Sequence, residues 1–204
     1  MHGGARAEKA RIRQEARLIT GQLTPEYRQE ASRAITRQVL ALPFWKEAGT
    51  VMAYWSMPSE PDTRELMETA LREGKTLLLP RCLDAARMDA FPVTDPDGLK
   101  PGALGIPEPE IPDEGTGIPE PDLILVPCMA AALHGVRLGH GAGYYDRFLR
   151  AHPMPCLCLC FHALLRDDLP AGPLDAPMDA VVTEEEWFSK TIPFFSGQNS
   201  AQGL

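Results

Sequence analysis

The sequence predicts an α/β fold: a single-domain, three-layer sandwich built on a mostly parallel sheet. Three observations carry this. Helical and strand-like segments alternate along the first 80 residues, which is the pattern of β–α–β units. Later apolar runs, DLILV at 122–126 and PCLCLCF at 155–161, are continuous rather than alternating, as in strands buried on both faces. The chain has 204 residues, 44% of them hydrophobic and 24% charged, enough for one domain with its own core. We place that domain at residues 1–190, and residues 191–204 read as a flexible polar tail.

Residues 5–20 are rich in helix formers and lack glycine and proline until the segment ends. Thr24-Pro25 then combines an N-cap residue with proline at the first helical position, opening a second helix to about Leu40. Ile35, Val39 and Leu42 are spaced for one buried face of it. TVMAYW at 50–55 is a β-prone run that ends in the loop chemistry of SMPSEPD. Residues 62–72 are helical and stop at Gly74, and residues 76–79 form a strand closed by Pro80. From 84 to 121 the chain changes character, holding eight of the 20 prolines and one strand near 88–93. That stretch reads as a rigid surface excursion. Beyond the buried strand at 122–126 come a glycine loop, a short helix at 144–150, a strand at 155–161 and a last one at 180–183.

Charge is unevenly spread. The net charge is −8, yet residues 1–40 hold eight Arg/Lys against four Glu, a local +4. An acidic protein with one basic element lacks the extended basic surface that nucleic acid needs, and suits a small anionic ligand. The longest purely aliphatic run, residues 123–126, is four residues and falls far short of the ~20 needed for a membrane span. The N-terminus has no apolar h-region of a secretory signal. Five cysteines, an odd number without secretory context, read as reduced thiols in a cytoplasm. Cys156, Cys158 and Cys160 alternate along one strand, so they read as small core hydrophobes rather than a metal knuckle. His134, His140, His152 and His162 show no ligand spacing. No heptad pattern is present, so the expected state is a monomer.

The chemistry concentrates in GVRLGHGAGYYDR, residues 135–147. Gly139, Gly141 and Gly143 alternate just ahead of a helix, so several backbone N–H groups can converge at the positive end of its dipole. Arg137 and Arg147 bracket the loop with guanidinium forks suited to phosphate oxygens. Asp146, in the first helical turn, is placed to hold a divalent ion that bridges phosphates. Lys9 and Arg13 are four apart and share a face of the first helix, with Arg6 and Arg17 nearby. Glu60 follows a strand's carboxyl end, where open α/β sheets bind ligands, and Trp55 and Met57 beside it could contact a flat heterocycle.

RLGHGAGYYDR closely resembles the signature of the 5-formyltetrahydrofolate cyclo-ligases, also called 5,10-methenyltetrahydrofolate synthetases. Lys9-x-x-x-Arg13 is similar to their nucleotide-phosphate clamp, and SMPSEPDT at 56–63 to their folate-site loop, with Glu60 at the acidic position. Gly105-Ile-Pro-Glu-Pro resembles the family's G-I-x-E-P, and Asp175-x-x-Met-Asp179-x-Val-Val-Thr-Glu184 its closing segment. These landmarks occur in the family's order over residues 9–184. The resemblance implies a fold like that of the NagB/RpiA/CoA transferase-like proteins. It also implies cyclisation of 5-formyltetrahydrofolate to 5,10-methenyltetrahydrofolate with ATP and Mg²⁺, releasing ADP and phosphate. On that basis ATP is expected at Lys9, Arg13, Arg137, Leu138, Gly139, His140, Gly141, Ala142, Gly143, Tyr144, Tyr145 and Arg147. The reduced folate is expected at Trp55, Met57, Glu60 and Tyr145, with Mg²⁺ at Asp146 and Asp179. Arg137, Asp146 and Arg147 would carry the catalysis.

One segment departs from the pattern. Ahead of the loop the family reads P-G-x-A-F-D-x-x-G-x-R-L-G, and this chain reads PCMAAALHGVRLG. Cys128 stands for a glycine, Ala131 for the phenylalanine and Ala132 for the aspartate. Losing the ring predicts missing packing under the loop. It also leaves open a divergent homologue that binds nucleotide or folate without efficient turnover.

Overall fold

The computed structural model describes residues 2–102, 105–113 and 115–189. The expected tail therefore lies outside the described residues. Helix α1 (His2–Gln22) runs longer than expected at both ends. Only Ile12, Ala16 and Thr20 along it are buried, an i, i+4, i+8 stripe, so α1 lies on the surface. Its polar side chains reach distant parts of the chain: Lys9 to Asp175, Arg13 to the Gly139 carbonyl, and Glu15 to Arg166. Helix α2 (Pro25–Ala41) starts as read, with the Thr24 hydroxyl accepting from the Tyr27 N–H at 3.1 Å. The short α3 (Pro43–Glu47) was not foreseen. It exists to bury Trp45, whose indole N–H donates to Glu73, and five residues are too few for a periodic signal.

Strand β1 (Thr50–Met52) is half the expected run, because the chain leaves the sheet after Ala53 to build a loop over the sheet edge. Helix α4 (Arg64–Arg72) leads to β2 (Thr76–Cys82), which passes through Pro80 instead of ending there. The hydrogen bonds explain this. Leu78 offers its carbonyl to Ala53 on the β1 side, and Leu77 offers its own to Val93 on the other. By alternation Pro80 faces the β1 side, where pairing has already stopped at Leu78, so its missing N–H costs the sheet nothing. Strand β3 (Met88–Pro92) returns antiparallel beside β2, and β4 (Lys100–Pro101) with β5 (Pro107–Glu108) forms a small hairpin within the proline-rich excursion.

Strand β6 (Leu123–Pro127) is buried almost throughout, as its apolar run predicts. The hairpin of β7 (Ala130–Ala132) and β8 (Arg137–Leu138) then leads into the glycine loop and α5 (Tyr144–Ala151). Strands β9 (Cys156–Leu159), β10 (Leu165–Arg166), β11 (Ala180–Val182) and β12 (Trp187–Ser189) complete the chain, β12 being an antiparallel edge that was not foreseen. The large sheet has the order β12-β11-β9-β6-β1-β2-β3, with its five inner strands parallel; β10, β7 and β8 form a small separate sheet.

This order places a switch point between β1 and β6. The crossover from β1 through α4 steps one way to β2, and that from β6 through α5 steps the other way to β9. Right-handed crossovers in opposite directions put their helices on opposite faces and open a crevice at the strands' carboxyl ends.

The alanine strand β7 turns out to be well packed. Ala131 is fully buried in the main core. Ala130 and Ala132 meet Ile12, Leu138 and Leu169 in a second cluster. Small side chains at Ala130 and Ala132 let α1 lie against β7, whereas Ala131, where the family carries its ring, belongs to the main core. All five cysteines are free thiols, and all but Cys82 are buried. No helix among the described residues is long and apolar enough to cross a membrane.

Candidate active site

A cavity of about 790 Å³ opens at the switch point. Its walls come from α1, the loop after β1, the end of β2, the β4–β5 hairpin, and residues 137–147. Every ATP- or folate-site residue read from the sequence lines it, although these residues span positions 9 to 147.

The glycine loop is held from both ends. Gly143 caps α5 at φ +71°, a left-handed conformation that a side chain resists; a Cβ there would sit 2.9 Å from Arg147 Nη1. Gly141, at φ +111°, would bring a Cβ to 3.4 Å from the Arg13 guanidinium. Arg13 Nε donates to the Gly139 carbonyl at 2.8 Å, which ties α1 to the loop. Burial, with Arg17 adding to it, lowers the pKa of Arg13, so this cation sits where a counter-charge would be favoured.

Arg137 is the buried cation of the site. Its side chain is 3% exposed, donates to the Ala176 carbonyl at 2.9 Å and pairs with Asp146 at 3.0 Å. Asp146 also accepts the Ala176 N–H at 3.1 Å, so this pair joins α5, β8 and the 172–176 turn. On the rim, Arg147 donates to the Ala86 and Ala142 carbonyls and lies over the Tyr144 ring, whose hydroxyl donates to the Asp84 carbonyl. These contacts knit the glycine loop to the excursion, giving the proline-rich segment a role as a wall of the cavity.

Across the cavity, Glu60 is almost wholly buried. It accepts the Met57 N–H at 2.9 Å and lies 3.0 Å from His140 Nε2. Trp55 and Met57 flank it. The Tyr145 hydroxyl is buried near Glu60 without a hydrogen-bond partner, and burial, with the Glu60 charge, pushes its pKa up. A buried hydroxyl without a partner is a donor left unsatisfied in the wall of the site.

Asp179 is not where the sequence reading put it. It does not line the cavity; its carboxylate accepts the Cys156 N–H at 2.9 Å and pins the start of β9. The carboxylate that does line the cavity from this segment is Asp175, four residues earlier. Burial would raise its pKa, but hydrogen bonds from Lys9 and the Gly172 N–H hold it below the usual aspartate range. The D-x-x-x-D spacing carried both residues, and nothing local says which one turns inward.

Other lining groups went unread. Arg150 adds positive charge, as does Arg6, which the sequence marked only as a neighbour of Lys9 and Arg13. Glu108, 7% exposed, accepts the Cys82 N–H at 3.3 Å on the side that β1 has vacated. Its signal was the G-I-x-E-P segment. Gly102 is required beside it, because a Cβ there would overlap the Glu108 side chain. Among the described residues no group of three or more His, Cys, Asp or Glu side chains is placed to hold a metal by itself.

An α/β fold whose switch-point cavity sets a glycine loop flanked by arginines against buried Glu60 and Trp55 has the layout of a small-molecule enzyme site with one charged and one apolar half. The family model described as "5-formyltetrahydrofolate cyclo-ligase family" matches residues 5–184, and the chain belongs to that family. It is 38% identical to the 5-formyltetrahydrofolate cyclo-ligase of Mycolicibacterium smegmatis over 66% of this chain and 73% of that one. With the Escherichia coli K12 enzyme of the same name the identity is 31%, over 86% of this chain and all of that one. The solved structure of the Aquifex aeolicus 5,10-methenyltetrahydrofolate synthetase superposes with a TM-score of 0.79 at 28% identity, covering 95% of this chain and 99% of that one. The chain is therefore a ligase of folate one-carbon chemistry.

Proposed function

We propose that the chain converts 5-formyltetrahydrofolate and ATP, with Mg²⁺, into 5,10-methenyltetrahydrofolate, ADP and phosphate. The observation that carries this reading is one cavity with cations and the glycine loop on one side and buried Glu60 with Trp55 on the other. Lys9, Arg13, Arg137 and Arg147 bind the phosphates, and residues 139–143 cradle them. Trp55, Met57, Glu60 and Tyr145 bind the reduced folate, with the Tyr145 hydroxyl donating to it.

The formyl oxygen attacks the γ-phosphorus as the bond to the β–γ bridging oxygen breaks. N10 then bonds to the activated formyl carbon and loses its proton, and the former formyl oxygen departs in phosphate. The residues supply alignment and charge stabilisation rather than covalent chemistry. Magnesium on phosphates needs only one or two protein carboxylates. Asp146 fits that requirement, lining the cavity while its second oxygen accepts no hydrogen bond from Arg137 or Ala176. The ion would neutralise charge building on the phosphate oxygens.

The test is to mix the purified protein with 5-formyltetrahydrofolate and Mg-ATP and follow the methenyl chromophore. Product is expected, and Arg13→Ala should lower turnover at least about tenfold through phosphate misplacement. No product despite retained ATP binding would overturn the reading in favour of binding without turnover.

A further inference from the structure

We propose that His140 is a positioning residue that gates Glu60, holding it in the free protein and releasing it when a nucleotide phosphate enters the glycine cradle. The inference rests on the reading that Glu60 faces the folate. The Glu60 side chain is only 3% exposed, while the His140 ring over it is 41% exposed. One carboxylate oxygen takes the Met57 N–H and the other lies against His140 Nε2. A ligand bringing its own pair of N–H donors, as the amino-pyrimidinone edge of a reduced folate does, reaches this carboxylate only after the imidazole moves.

The backbone favours such a movement. His140 stands between Gly139 and Gly141, and Gly141 already adopts φ +111°, so no neighbouring Cβ restrains a reorientation. The Gly139 carbonyl is held by Arg13, one of the cations assigned to phosphate. A phosphate drawn in by Arg13 arrives beside His140. It offers the imidazole N–H an anionic acceptor with more charge than Glu60 carries. The donor passes from one anion to the other, and Glu60 is left open. Nucleotide and folate affinities are then coupled through one side chain, and the coupling is reciprocal.

The test measures the dissociation constant of 5-formyltetrahydrofolate by calorimetry, with and without Mg²⁺ and a non-hydrolysable ATP analogue. The wild-type protein should bind the folate at least about fivefold tighter with the analogue present, the lower end of ordinary coupling. His140→Ala should bind it that tightly without nucleotide and lose the nucleotide effect to within about twofold. His140→Gln, which keeps a side-chain N–H donor, should retain part of the wild-type dependence. The gate is overturned if His140→Ala binds folate no tighter than wild type in the absence of nucleotide, or keeps the full nucleotide effect. Glu60→Gln separates the two ideas. Its loss of folate affinity alongside a failed His140→Ala result overturns the gate alone, whereas wild-type affinity in Glu60→Gln overturns the placement of the folate and the gate with it.

Discussion

Asp146→Ala tests whether the Arg137–Asp146 pair holds the glycine loop in place. Arg137 is 3% exposed and Asp146 26%, so the substitution strands a buried guanidinium with the Ala176 carbonyl as its remaining acceptor. It also frees the Ala176 N–H. A hydrogen bond to a charged group is worth about 1.5–3 kcal/mol, and partial exposure of the carboxylate keeps the loss near about 2–3 kcal/mol. At this chain length each kcal/mol moves Tm by about 2–4 °C, so a fall of about 4–12 °C is expected. Urea unfolding followed by tryptophan fluorescence, with calorimetry, measures it. The cause is checked by Arg137→Met, alone and combined with Asp146→Ala. If the loss comes from a stranded charge, the double variant is more stable than the sum of the two single losses requires. Additive losses, or a loss under about 0.5 kcal/mol in Asp146→Ala, would refute the reasoning.

Two further outcomes follow from the packing and the charges. Ala131 is fully buried, so Ala131→Phe, which restores the ring common in the family, should destabilise by about 1–3 kcal/mol through overpacking; a rise in Tm would show a void under the loop instead. The Asp175 carboxyl is depressed in the folded state, where burial is outweighed by the Lys9 and Gly172 hydrogen bonds and the charges of Lys9 and Arg137 together, so its contribution is present above the unfolded value near about pH 4 and is lost as pH falls through the folded one. The stability gap between wild type and Lys9→Met, read by urea unfolding, should therefore be full at about pH 6 and close below about pH 4; a gap that widens on acidification would be the wrong sign.

Local chemistry was legible in the chain wherever it acts over a few residues. Thr24-Pro25 opens a helix because cap and proline need only the next turn, and Gly143 marks the start of α5 because its φ is decided on the spot. The buried strand at 123–127 announces itself by four adjacent apolar side chains. Where an element depends on a distant partner, the reading slipped. β1 is short and β2 runs through Pro80 because their hydrogen-bond partners begin and end elsewhere, and α3 exists for the burial of one tryptophan.

The same division governs the site. Residue types and spacing alone marked 137–147 as a glycine loop between two arginines at a helix start, and showed that a basic helix precedes an acidic body. The resemblance carried by those motifs supplied the order of the other landmarks. Only the tertiary structure decided that Asp175 turns into the cavity while Asp179 secures β9, and that Ala130 and Ala132 make room for α1. It also brought His140 against Glu60 across 80 residues of sequence. Direction of a side chain and choice of partner are set by how strands and helices pack, and packing sums contacts that no window of neighbouring residues contains.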